Sequence, residues 1–163
     1  MIKNVKSKGL LLGLLLTSNF IQADALTVST KRLTMDASLI MAQAAIAECT
    51  KQGIQIGVTV VDRDGIVQVA LRDTIAAQIT LPISQAKAYT AANFNSATSS
   101  MEDRADTAVG RAPGLLMAAG GLPIQVSGSL LGAIGVSGAP SGKTDEQCAQ
   151  AGIDALIDDL EME

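Results

Sequence analysis

The sequence predicts an α+β domain: an antiparallel sheet of about five strands with helices packed on its faces. Three observations lead there. A two-strand hairpin is written into residues 54–71, helical patterns flank it on both sides, and glycine-punctuated apolar stretches between 115 and 136 have the length of further strands. Strands joined by short turns run antiparallel, and helices at both ends of the strand order form layers on the sheet, not a doubly wound alternation.

The first helix is expected from Thr34, which caps it, to about Gln52, with Gly53 closing it. Ala37, Met41, Ala44, Ala45 and Cys49 recur along it at helical spacing and define a buried stripe. Ile54, Ile56, Val58 and Val60 then alternate on one face of a strand, Asp62-Arg63-Asp64-Gly65 supplies the turn, and Ile66–Leu71 returns. A second helix follows over Ile79–Asn95, with Pro82 in the first turn, where a missing N–H costs nothing. The polar segment Ser96–Arg111 holds a short helix around Met101–Ala105. Leu115–Ala118, Leu122–Val126 and Leu130–Val136 read as three strands of a meander, broken at Gly120-Gly121 and Ser127-Gly128-Ser129. Thr144-Asp-Glu-Gln147 has the form of a capping box. It opens a last helix to about Leu160, apolar on one face through Ala149, Ile153, Leu156, Ile157 and Leu160.

Residues 1–25 read as a signal peptide cleaved after Ala25. Met1–Lys8 carries three lysines and no acid, Gly9–Leu16 is apolar, and Ala23 and Ala25 stand at the small-residue positions before the cut. The apolar run is too short to anchor the chain in a membrane. What remains is a single domain, 26–163, expected in the periplasm or secreted. Cys49 and Cys148 then meet an oxidising compartment. They form either a disulfide, if their two helices lie side by side, or two unpaired small core residues. Their spacing is too wide for a metal or redox motif.

The full chain carries −4 at pH 7, and residues 26–163, with nine basic and fifteen acidic side chains, carry −6. Lys and Arg do not cluster, and Tyr89 and Phe94 are the only aromatics beyond residue 25. Nucleic-acid binding is excluded on both counts. The chain has no histidine, which removes Ser-His-Asp and Cys-His nucleophiles and most zinc sites. No catalytic constellation remains.

Three motifs fall short of the chemistry they suggest. Ser137-Gly138-Ala-Pro-Ser-Gly142-Lys143-Thr144 misses a phosphate-binding loop by one position, since residue 137 is Ser and Pro140 lacks an N–H. Gly132, Gly135 and Gly138 recur within an apolar strand, not across a strand-to-helix turn, and mark close packing or a ligand or partner against that strand. The pairs Glu102/Asp103 and Asp158/Asp159 read as solvated surface. Lys87 stands among small and apolar residues in the second helix. Two readings stay open for it: a stem lying along apolar surface with its head in water, or a cation for a ligand carboxylate.

Several segments taken together resemble a known family. They are the Val60–Gly65 hairpin, Ser84…Lys87-Ala-Tyr89-Thr-Ala91, Gly120-Gly-Leu-Pro-Ile124, Gly132-Ala-Ile-Gly-Val-Ser-Gly138 and Asp145…Cys148-Ala-Gln-Ala-Gly152. In order and coverage the chain resembles the GlcG/HbpS-like family, which includes the C-terminal domain of PduO-type proteins. The resemblance implies a sheet with helices on its faces, assembly into homo-oligomers and haem as the cofactor. Some members are described as haem-degrading. This chain departs in having no histidine for the iron. Tyr89, Met101 and Met117 are the candidate iron ligands, and Lys87, Arg104 and Arg111 the candidate cations for the propionates, with Arg72 a weaker one. The expected function is that of an exported haem-binding protein with an apolar slot beside the Lys87 helix. The alternatives are a haem-degrading enzyme, or an oligomeric module for a small organic ligand or a sensor partner.

Overall fold

Consecutive β-branched residues, Val58 to Val61, make Gly57–Asp62 one of the two inner strands of the sheet, and every position along it is buried. The computed structural model describes residues 26–162, so the expected signal peptide and its cleavage after Ala25 lie outside the described residues. Along the chain come α1 (Met35–Lys51), β1 (Gly57–Asp62), β2 (Val67–Arg72), α2 (Thr80–Phe94), a 3-10 helix (Thr98–Arg104), β3 (Gly121–Val126), β4 (Ser129–Ser137), α3 (Gly142–Asp154) and α4 (Ile157–Glu161). The strands form one antiparallel sheet in the order β2-β1-β4-β3. The fold class is the expected one. No helix among the described residues is long and apolar enough to cross a membrane.

The two sheet faces are covered differently. On one, Met41, Ala45 and Cys49 of α1 and Cys148, Ala149 and Ile153 of α3 meet Ile56, Val58, Val60, Ile134 and Val136 in the main core. On the other, α2 lies alone, its Ala88, Ala91 and Ala92 against Val61 and Ala133. Small residues bring α2 very close. A Cβ on Gly135 would strike the Ser84 carbonyl oxygen, and one on Gly121 would sit 2.6 Å from the Lys87 carbonyl oxygen. Gly132 packs equally tightly on the Val61 carbonyl of the neighbouring strand. The glycine repeat of β4 is therefore a packing device.

The local signals hold at the hairpin. Gly65 takes φ +81°, and the Asp62 carboxylate accepts the N–H groups of Asp64 and Ile66 at 2.9 and 3.0 Å. Thr34 caps α1 through the Ala37 N–H, and Gly53 closes it at φ +71°.

Three expectations are corrected. The sheet has four strands, not about five, because Leu115–Ala118 is a loop. Pro113 and Gly114, the latter at φ +84°, turn the chain ahead of it, and the Leu116 N–H donates to the Thr90 hydroxyl at 2.8 Å instead of to a strand. The last helix starts at Gly142, ahead of the Thr144 box, because Ser141, three residues earlier, is the cap and accepts the Thr144 N–H. That helix is also not continuous to Leu160. It ends at Asp154, Leu156 swings to φ −137°, and α4 resumes at Ile157.

Cys49 and Cys148 are joined in a disulfide, with Cα atoms 5.6 Å apart and both residues fully buried between α1 and α3. The crosslink spans 99 residues. Replacing both cysteines by alanine should lower the stability read from urea unfolding by about 4–5 kcal/mol, the loop entropy returned to the unfolded chain. A loss well under 1 kcal/mol would contradict that role.

Candidate functional site

The second helix sorts its polar residues by face. Lys87 points inward, into neither solvent nor a ligand slot. Its Nζ donates to Asp145 Oδ2 at 2.9 Å and to the Val136 carbonyl at 3.0 Å, and the two side chains are 6% and 5% exposed. Asp145 also accepts the Ala139 N–H at 2.9 Å. The reading that puts its head in water is corrected by this: the ammonium ties α2 to β4 and α3. Burial pushes the Asp145 carboxyl up from its ordinary value, while Lys87 and the Ala139 N–H pull it back.

Tyr89 points the other way. Its ring lies beside Gly65 of the hairpin turn and Gly114 of the loop before β3, and the residue is 36% exposed. With Pro82, Gln85, Ala86, Pro113 and Gly114 it lines an apolar groove of about 400 Å³ on the outer surface of α2. This groove lies on the Lys87 helix, on the face opposite Lys87. Arg111 is exposed in the same loop as Pro113 and Gly114.

The remaining candidates are dispersed. Met101 and Met117 are each 3% exposed and line neither of the two cavities described here, as apolar thioethers drawn into the interior. Arg104 lies over the Phe94 ring, 5.3 Å from its centre. Arg72 donates to the carbonyls of Asp73, Thr74 and Ala76 and holds the turn after β2.

A second cavity, of about 520 Å³, was not foreseen. Leu33, Ala37, Val126, Leu131 and Leu160 form its apolar walls, with Lys31 and Glu161 among its polar lining. Arg32 fixes the segment that closes it by pairing with Asp62 and Asp64. The adjacent Lys31-Arg32, in a chain with few cations, was the available signal. The cavity offers no Tyr, Met or Cys.

A family model described as "Haem degrading protein HbpS-like" matches residues 33–154. The chain belongs to the HbpS-like family. Solved structures agree. A crystal structure of HbpS is 38% identical, covers 80% of this chain and 94% of its own, and superposes with a TM-score of 0.76. A double mutant of HbpS from Streptomyces reticuli is 35% identical over 96% of this chain and 98% of its own, also at 0.76. The PduOC:haem complex, at 24% identity and TM-score 0.70, covers 76% of this chain and 94% of its own and shares the fold. A comparison with curated proteins finds no match.

Within this HbpS-like fold the Lys87–Asp145 pair serves structure, and its removal tests that. Lys87→Met leaves a buried carboxylate without its cation and should cost about 3–5 kcal/mol at neutral pH. Asp145 has a higher pKa folded than unfolded, so its contribution to stability is fully present below the unfolded value near 3.8 and is lost as pH rises through the folded value. The Lys87→Met deficit in urea unfolding should therefore shrink on acidification. A pH-independent deficit would contradict the assignment.

Proposed function

We propose that this chain is exported and binds haem in the groove on the outer face of α2, holding it and not turning it over. The observation that carries the reading is the placement of Tyr89. In a chain without histidine, its phenol is the one classical iron-binding side chain that lines a cavity described here. The donor set fits the group: a phenolate suits ferric iron, and Pro82, Ala86, Pro113 and Gly114 give the apolar walls a porphyrin requires. Arg111, exposed two residues before Pro113, is the exposed cation nearest in sequence to those walls and is assigned to a propionate.

Family membership supports the ligand, since the matching model is described as haem-degrading and the PduOC relative is a haem complex. Export is supported by the charged, apolar and small-residue order of residues 1–25 and by a buried disulfide, which suits an oxidising compartment. Sequestration or delivery is favoured over degradation because the groove offers no carboxylate, amine or imidazole for proton transfer. The family's description favours the enzymatic alternative, and turnover decides between them.

Ferric haem titrated into protein beginning at Leu26 should give a saturable, shifted Soret band. Tyr89→Phe should weaken binding at least about tenfold, roughly 1.4 kcal/mol, and remove the tyrosinate charge-transfer absorption. Met101→Leu and Met117→Leu should leave the spectrum unchanged. Affinity and spectrum unaltered by Tyr89→Phe would refute the site. Loss of the Soret band with bilin formation on adding reductant and oxygen would favour degradation.

A further inference from the structure

Two glycines from distant parts of the chain hold the ring that lines the groove. Gly65, at φ +81° in the hairpin turn, faces one edge of Tyr89: a Cβ there would lie 2.7 Å from Cδ2 and 3.0 Å from Cε2. Gly114, ahead of β3, faces the other edge, where a Cβ would meet Cε1 and Cδ1 at 3.7 and 3.9 Å. A Cβ on Gly65 would also lie 3.1 Å from Asn93 Nδ2, and Asn93 donates to the Tyr89 carbonyl at 2.9 Å. Tyr89 and Asn93 stand one helical turn apart, so the hairpin tip rests against two successive turns of α2. Neither backbone can retreat. The Asp62 carboxylate holds the tip through the Asp64 and Ile66 N–H groups, and Arg32 pairs with both Asp62 and Asp64. α2 is held from behind, where Gly121 and Gly135 leave no space between its carbonyls and the sheet. Between a fixed tip and a fixed helix, the tyrosine side chain is the part that can move.

We propose that Gly65 is a positioning residue for the Tyr89 phenol: its missing side chain lets the ring lie against the hairpin tip and keeps the phenol at the groove. The proposal rests on the haem reading for what the phenol meets, and on the ligand-free protein for where it is held. A ring confined at both edges has already lost its rotamer freedom, so a ligand does not have to order it. A side chain at residue 65 acts in two ways that can be separated. It meets the ring, and it occupies a left-handed backbone conformation that most residues resist. Asparagine tolerates that conformation, as Asn95 does here at φ 49°, but it still brings the Cβ. Gly128, in the turn between β3 and β4, has φ +78° with nothing within 4 Å of a Cβ, so Gly128→Ala carries the strain without the clash.

Tyr89 is the chain's only tyrosine and there is no tryptophan, so intrinsic emission reports this ring alone. In haem-free protein beginning at Leu26, Gly65→Asn should keep the wild-type circular dichroism. It should raise acrylamide quenching of the emission about twofold, because the ring, 36% exposed in place, is driven outward. With ferric haem the same variant should bind at least about tenfold more weakly and shift the tyrosinate absorption. Gly128→Ala should leave both the quenching and the haem spectrum at their wild-type values. Quenching in Gly65→Asn equal to wild type, or an equal rise in Gly128→Ala, would overturn the proposal. Wild-type protein that takes up no haem would refute the ligand and not the placement of the ring, which the quenching decides by itself.

Discussion

Backbone lies almost directly on backbone where α2 crosses the sheet, and that contact constrains the rest of the structure. Gly121 and Gly135 have no room for a Cβ against the carbonyls of Lys87 and Ser84, and the helix answers with Ser84, Ala88, Ala91 and Ala92. So close a seam buries little side-chain volume, and directed polar contacts supplement it. Ser84 and Thr59 share a hydrogen bond at 2.8 Å within the seam, and Lys87 reaches past the sheet to Asp145. The pair is not a source of large net stability, since both charges have left water. It fixes where α2 sits relative to α3.

The same constraint shapes the segment that leads from the groove loop into β3. Met117–Gly121 has no strand partner along its first half, and its N–H groups are met by side chains instead. Glu102 accepts from Ala119, Glu146 from Gly120 and Thr98 from Gly121. Buried backbone donors are expensive to leave unpaired, so these side chains hold the segment in place. With the inner face of α2 spent on packing and the following segment spent on anchoring, the outer face, with its groove, is left exposed.

Much of this was legible in the sequence, and the failures share a cause. Hairpin, caps and the alternation of β1 are local signals, so the Asp62–Gly65 turn, Thr34 and the Ile56–Val60 stripe were read correctly. Leu115–Ala118 was misread because apolar composition does not reveal where a backbone N–H finds its acceptor, here a threonine on another helix. Thr144 was taken for a cap because the true cap, Ser141, is followed three residues later by Thr144 itself and not by an acid or amide. Lys87 drew attention for the right reason, its apolar surroundings, but its partner lies 58 residues away on α3, beyond what spacing can show. Tyr89 and Lys87 are two residues apart on one helix, and that spacing alone puts them on opposite sides.

The central claim is that the outer face of α2 is where this chain meets its ligand. Amide chemical-shift mapping with a diamagnetic metalloporphyrin, zinc protoporphyrin, tests it most directly. The account predicts shifts confined to residues 79–93, the Gly65 turn and the loop around 111–116. Shifts centred instead on Lys31–Ala37, Val126–Leu131 and Leu160 would place the ligand in the other cavity and contradict it.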